Sequence, residues 1–192
     1  MHKLNYWQGD RIRLRALEPE DAQHFYNWNN TDIEVGRNLD WVWPPSSLTS
    51  QKKWAEAESQ RRAENDEIFF VIENMDGELV GTINAHHCDR RVGAFSYGIA
   101  ILDEHRQRGY ASEAIRRLQA YFFWELRYQK VTVHVFSFNP ASLALHQRLG
   151  FVQEGRMRRV LFTGGEYHDI LIFGQTKEEF EETAGSRMLR DS

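Results

Sequence analysis

The segment "GAFSYGIAILDEHRQRGYASEAIRRLQAYFFWE", running from Gly93 to Glu125, limits the possible folds more than any other part of the chain. It opens as a strand, passes through a basic turn, and continues as a helix. After Gly109, residues Ala111, Ala114, Ile115, Leu118, Tyr121 and Phe122 recur at helical spacing, with Glu125 continuing the series as a polar residue. Such a corner aims several main-chain N–H groups at one point. A helix start leaves about four N–H groups unpaired and carries roughly half a positive charge. A glycine there lets the backbone come close to a phosphate, and Arg106 and Arg108 add charge. The pattern therefore predicts a pyrophosphate-binding corner, although a plain tight turn with solvated arginines has the same local sequence. Two other nucleotide motifs are excluded: no GK[ST] follows a GxxxxG, and GxGxxG is absent.

The remaining chain alternates between the two periodicities. "RIRLRAL" (11–17) reads as a half-buried strand, and "EPEDAQHFYNW" as a helix with Pro19 near its start. "DIEVGRNLDWVWPPSS" reads as a polar, aromatic loop, because Pro44–Pro45 forbids helix there. "SLTSQKKWAEAESQRRAEN" is a second helix candidate. "EIFFVIEN" and "ELVGTINAHH" flank an Asp-Gly hairpin signal. After the long helix come strand "KVTVHVFSF", short helix "NPASLALHQRLG", strands "FVQEGRMRRVLF" and "EYHDILIFG" joined at Gly164–Gly165, and a terminal helix "TKEEFEETA". The predicted order is βααβββαβαββ. That implies an α/β (α+β) fold with a mixed, mostly antiparallel seven-stranded sheet flanked by helices. No repeat or domain boundary interrupts the pattern, so one domain over 1–192 is expected, with a core of about 10–180 and a tail of 185–192.

Composition removes whole function classes. Hydrophobic content of 41% with 13% aromatics is that of a globular chain, and a net charge of −4 excludes a broadly basic nucleic-acid binder. The first residues lack the apolar stretch of a signal peptide, and no apolar run reaches the ~18 residues of a membrane span. A single cysteine, Cys88, allows no intramolecular disulfide and no multi-cysteine metal site; the histidines show no HExxH spacing, so no metal is expected. These features predict a cytoplasmic protein without a nucleic-acid or membrane partner.

"DEHRQRGYASEAI" after a strand, then "KVTVHVF", then "NPASLALHQRLGF", and last "GGEYHDILIF", resembles the GNAT superfamily of acetyl-CoA-dependent N-acetyltransferases. The Rim-type protein N-terminal acetyltransferases and the spermidine acetyltransferases are the nearest in pattern. The likeness runs from about Arg11 to Phe180. It implies a GNAT fold, acetyl-CoA as co-substrate, and an amine acceptor. Matching the family's Gln/Arg-x-x-Gly-x-Gly/Ala loop places Arg106, Gln107, Arg108, Gly109, Tyr110, Ala111 and Ser112 at the pyrophosphate. Main-chain groups of Ile99, Ala100 and Ile101 are implied for pantetheine, together with the Asn139 amide, and an oxyanion site near Ile101. The resemblance leaves room for a homodimer.

Asn139-Pro140 also opens a helix in the favoured way, as N-cap and N1, and the two roles are compatible. Ser142 and His146 are one turn apart on one helical face. The family often has tyrosine where His146 stands, as the acid that protonates the departing thiolate, and some Rim-type enzymes use serine at the position of Ser142. The acid is therefore Ser142, His146 or neither, with Ser142 preferred. The strand glutamate that relatives use as base is missing from "FSYGIAI"; His86, His87, Glu34 and Asp169 are the candidates. Cys88 as an acetyl carrier is disfavoured, and direct attack by a neutral amine in a ternary complex is expected. Trp41 and Trp43, with Glu34 and His87, are the acceptor-side candidates; Asp32 and Asp40 lie near them in sequence. Two rival functions share these motifs: a GNAT domain that binds CoA without transfer, and a nucleotide-binding regulator using the same anion corner.

Overall fold

The computed structural model describes residues 5–31, 33–39, 42 and 44–185. Strand β1 (Ile12–Arg15) buries Ile12 and Leu14 and exposes Arg13, as its alternation requires. A 3-10 turn at Pro19–Asp21 leads into α1 (Ala22–Thr31), followed by α2 (Ile33–Asn38) and α3 (Leu48–Ser59). Strands β2 (Ile68–Asn74), β3 (Leu79–Asp89) and β4 (Ala94–Ile101) come next, then α4 (Tyr110–Trp124), β5 (Lys130–Phe136), α5 (Pro140–Arg148), β6 (Val152–Thr163), β7 (Glu166–Thr176) and α6 (Lys177–Phe180). The strands form one seven-stranded sheet in the order β1-β2-β3-β4-β5-β7-β6. β5 and β7 pair antiparallel from Lys130↔Thr176 to Phe136↔Ile170. β4 pairs with β5 in parallel at its first residues, Ala94↔Lys130 and Phe95↔Val131.

Contacts divide the chain into two compact units. Of the described residues, one takes 5–6, His86–Tyr97 and 115–185; the other lies within Trp7–Ala85 and Gly98–Ala114. The second unit packs Leu17, Phe25, Trp28, Ala55, Val71 and Leu79 into a core. Its 3-10 turn is tied down by Arg15, whose guanidinium donates twice to Asp21 at 2.8 Å and once to Glu73 at 2.6 Å. Burial alone would raise the Asp21 carboxyl, but Arg15 and the Glu18 N–H hold it below the ordinary carboxylate range. The first unit is built on aromatics: Phe95 stacks on Phe122 at 4.1 Å and meets Tyr128 edge-on at 5.6 Å.

Two expectations need correction. The stretch read as loop contains α2, because Pro44–Pro45 forbids helix only nearby, and an i,i+3 pair between Glu34 and Arg37 supports the turn before them. The terminal helix is not uniform. α6 carries a Thr176/Glu179 capping box, and Glu181–Gly185 then widens into a π turn. There Thr183 Oγ1 donates back to the Glu179 carbonyl at 2.9 Å, a bond that competes with regular helix.

Candidate active site

The basic turn belongs to the second unit. After β4, Asp103–His105 makes a 3-10 turn, and the chain reverses hand twice, at Gln107 (φ 63°) and Gly109 (φ 85°). α4 starts at once, its first main-chain bond running from the Glu113 N–H to the Gly109 carbonyl at 3.1 Å. The N–H groups of Tyr110, Ala111 and Ser112 precede that bond and have no partner within the helix. Alternating backbone hand before a helix start gathers N–H groups into a concave anion-binding arrangement.

Glycine at 109 has two causes. Its φ lies in the left-handed region, which side chains disfavour. A Cβ would also sit 2.3 Å from Arg11 Nη1. Arg11, at the start of β1, therefore lays its guanidinium directly over the turn, and sequence reasoning missed it. Nothing in "RIRLRAL" separates Arg11 from Arg13 and Arg15; only the fold brings its charge to Gly109. The segment before β1 is fixed there, since the Asp10 N–H donates to Glu113 Oε1 on α4 at 2.7 Å. Arg106 and Arg108 are anchored locally instead. Arg106 pairs with Asp103 at 2.7 Å and donates to the Ile101 carbonyl at 3.3 Å, while Arg108 donates to the Glu104 carbonyl at 2.9 Å. These bonds brace the turn. Ile99, Ala100 and Ile101 are the last residues of β4, past those that pair with β5. The Ala100 carbonyl lies against β3, so close that a Cβ on Gly81 would stand 2.2 Å from its oxygen. Gly81 is thus the residue that lets β4 sit down on β3.

α5 belongs to the first unit and is capped at both ends. The Asn139 side chain accepts from the Ser142 N–H at 3.0 Å, and Pro140 occupies N1. At the other end Gly150 takes φ 90°; its N–H reaches the Gln147 carbonyl at 3.1 Å, and the Phe151 N–H reaches the His146 carbonyl at 3.0 Å. That is a Schellman closure, and it explains Leu-Gly-Phe at the end of this block. A buried Gln119–Gln175 bond of 2.7 Å holds the same end, since Gln175 Nε2 also donates to the Leu149 carbonyl at 3.0 Å.

On this fixed helix His146 is 3% exposed. Its Nδ1 lies 2.8 Å from the Ser142 carbonyl and 3.3 Å from Ser142 Oγ, and its Nε2 lies 2.9 Å from the Tyr97 hydroxyl. A carbonyl only accepts, so Nδ1 carries the proton and Nε2 accepts from Tyr97. Burial pushes the His146 pKa down, against a smaller upward push from the Ser142 carbonyl. Ser142 is half-buried.

The remaining candidates fall in different places. Glu34 is exposed on α2 and ion-paired with Arg37. His87 lies two residues before the end of β3, with φ 50°, and shares a 3.1 Å Nδ1–Nδ1 contact with His86. Trp41 and Trp43, with Asp32 and Asp40, lie outside the described residues. Asp169 is committed elsewhere. It accepts from the Arg159 N–H at 2.8 Å and from Arg156 Nε at 2.6 Å, and these bonds hold its carboxyl below the usual range. They clamp a bulge where β6 slips register between Met157 and Leu161. Among the described residues, no cluster of three or more His, Cys, Asp or Glu could hold a metal ion, and no helix is long and apolar enough to cross a membrane.

Known proteins share this architecture. The chain is 40% identical to YokL, an uncharacterized N-acetyltransferase derived from the SPbeta prophage of Bacillus subtilis, over 93% of this chain and 97% of that protein. It is 29% identical to the spermidine N(1)-acetyltransferase of Vibrio cholerae, over 83% of this chain and 90% of the relative. A crystal structure of the Vibrio cholerae spermidine N-acetyltransferase in complex with CoA and spermine superimposes with a TM-score of 0.76 at 25% identity, covering 90% of this chain and 99% of that one. The acetyltransferase (GNAT) domain family matches residues 11–152. With most of its length matched in sequence and in fold, the chain belongs to the GNAT family of acetyltransferases.

Proposed function

We propose that the chain moves an acetyl group from acetyl-CoA to a primary amine by direct attack in a ternary complex. The observation that carries this reading is the anion corner: two left-handed residues, a helix start and the Arg11 guanidinium meet at Gly109. The donor set suits a pyrophosphate, which needs several N–H groups and positive charge at close range. The pyrophosphate is assigned to the main chain of Arg106, Gln107, Arg108, Gly109, Tyr110, Ala111 and Ser112, and pantetheine to Ile99, Ala100, Ile101 and Asn139. A thioester supplies an activated acyl group whose thiol leaves readily at a pKa near ~8.5.

In the transfer step the amine nitrogen bonds to the acetyl carbonyl carbon and the carbon–sulfur bond breaks. The thiolate takes a proton, and the amine loses one. Ser142 is assigned as the proton donor, its hydroxyl taking a replacement proton from solvent as it gives one to the thiolate, with His146 behind it. The amine arrives neutral, helped by His86 or His87 directly or through water. Glu34, Trp41, Trp43 and His87 are assigned to the acceptor, which is a protein or peptide N-terminus or a small-molecule amine. The Vibrio cholerae structure with spermine supports the small-molecule branch. The whole chain, 1–192, is assigned to a single functional domain.

Ligand-linked stability tests the cofactor assignment. A ligand bound only by the native state stabilises by about 2.7 kcal/mol at 100 times its Kd. Acetyl-CoA at millimolar concentration should raise the melting temperature by several degrees, and equimolar ATP should not. No shift with acetyl-CoA would remove the assignment; equal shifts with both would favour a general nucleotide site.

A further inference from the structure

Tyr97 has no part in the reaction above, yet it buries a hydroxyl against His146. Tyr97 is 6% exposed on β4, and among the described residues its hydroxyl has one hydrogen-bond partner, His146 Nε2, 49 residues away in sequence. The His146 ring is enclosed by aromatics: Phe151 lies edge-on at 5.1 Å and Phe173 stacks at 6.2 Å. Nothing polar but Tyr97 and Ser142 reaches it among the described residues.

Proton bookkeeping then leaves one arrangement. The Ser142 carbonyl must accept, so the Nδ1 proton is spent on it, with a longer share to Ser142 Oγ. The Tyr97 hydroxyl must donate to Nε2. Protonating Nε2 would force that hydroxyl to become the acceptor and would strand its own proton in an apolar enclosure, which is costly. Burial raises the tyrosine pKa and lowers the histidine pKa, so neither group changes charge easily.

We propose that Tyr97 is a positioning residue for proton delivery: by donating to His146 Nε2 it fixes the ring proton on Nδ1, and that proton, facing Ser142 Oγ, turns the serine's own proton outward. The inference rests on Ser142 being the acid. His146 is then also a positioning residue, and the three groups form one relay of orientation in which only Ser142 gives a proton away.

The direct test needs no variant. A long-range 1H–15N spectrum of the whole protein should show His146 as the neutral Nδ1–H tautomer; an Nε2–H tautomer overturns the inference. Kinetics supply the second arm. Tyr97→Phe keeps the ring and removes the donor, and should lower kcat about tenfold, the scale of one lost hydrogen bond, with the KM for acetyl-CoA unchanged. The same substitution placed on Ser142→Ala should have no further effect, because the two act through one proton. An equal loss with and without Ser142 would mean a merely structural tyrosine and overturns the inference. Full turnover in Ser142→Ala overturns the acid assignment and takes the inference with it. A strong dependence on Ser142 beside a silent Tyr97→Phe overturns the inference alone.

Discussion

Gly109→Val should fold and yet need roughly 10- to 100-fold more acetyl-CoA for half-saturation, the cost of one or two charge-assisted hydrogen bonds. Valine meets two obstacles there. A β-branched residue is strained at φ 85°, and its Cβ would stand 2.3 Å from Arg11 Nη1. The long arginine side chain can swing aside, but it then leaves the turn it covers. The backbone can relax toward negative φ, but the N–H groups of Tyr110 through Ser112 then turn away from their common point. Either response weakens anion binding without touching α5, so kcat at saturating acetyl-CoA should stay within a few-fold of wild type. Steady-state kinetics over a range of acetyl-CoA, with circular dichroism to show folding, measure this. A folded variant with unchanged half-saturation would mean that the pyrophosphate lies elsewhere.

Ser142→Ala should lower turnover by about 10²-fold, a typical contribution of a positioned acid. The variant isolates the hydroxyl, because the helix cap uses the Ser142 main-chain N–H, which alanine keeps. The KM for acetyl-CoA should not move. The pH profile separates the two candidates. His146 has its pKa pushed down by burial, so as an acid it would serve only below that value, and turnover would fall as pH rises through it. A serine donor imposes no such falling limb, so turnover should not decline as pH rises to neutrality, and the only limb expected is the rise set by deprotonation of the amine and its base. Wild-type turnover in both Ser142→Ala and His146→Ala, with acetyl-CoA still bound, would mean that the thiolate leaves unaided.

Local patterns carried much of this fold. Each hairpin and the long helix announce themselves by period, and α5 by Asn-Pro at its start and Gly-Phe at its end, because those residues satisfy main-chain groups that any helix leaves open. Gly109 was legible for the same reason, being a backbone requirement written in one residue. What escaped was long-range. Arg11 reaches the turn only because β1 begins beside the first turn of α4, and Tyr97 meets His146 only because the first half of β4 and α5 belong to one packed unit. A buried tyrosine at an alternating strand position does demand a polar partner, but sequence cannot say which. Asp169 shows the reverse error. A carboxylate near the end of the sheet looks like a base, yet the structure spends it on holding a bulge. α2 was missed because the two prolines downstream outweighed one i,i+3 pair.

Thiol release across a panel of amines addresses the central claim most directly. The protein, acetyl-CoA and each amine in turn (a peptide with a free N-terminus, a polyamine, an amino acid, an aminoglycoside) are followed with a thiol reagent and by mass of the product. Transfer predicts that at least one amine releases CoA thiol in equal amount to an N-acetylated product, that acetyl-CoA alone releases almost none, and that Ser142→Ala slows the release. Tight acetyl-CoA binding with no thiol released for any amine, across pH, would contradict the account and make the chain a CoA-binding module.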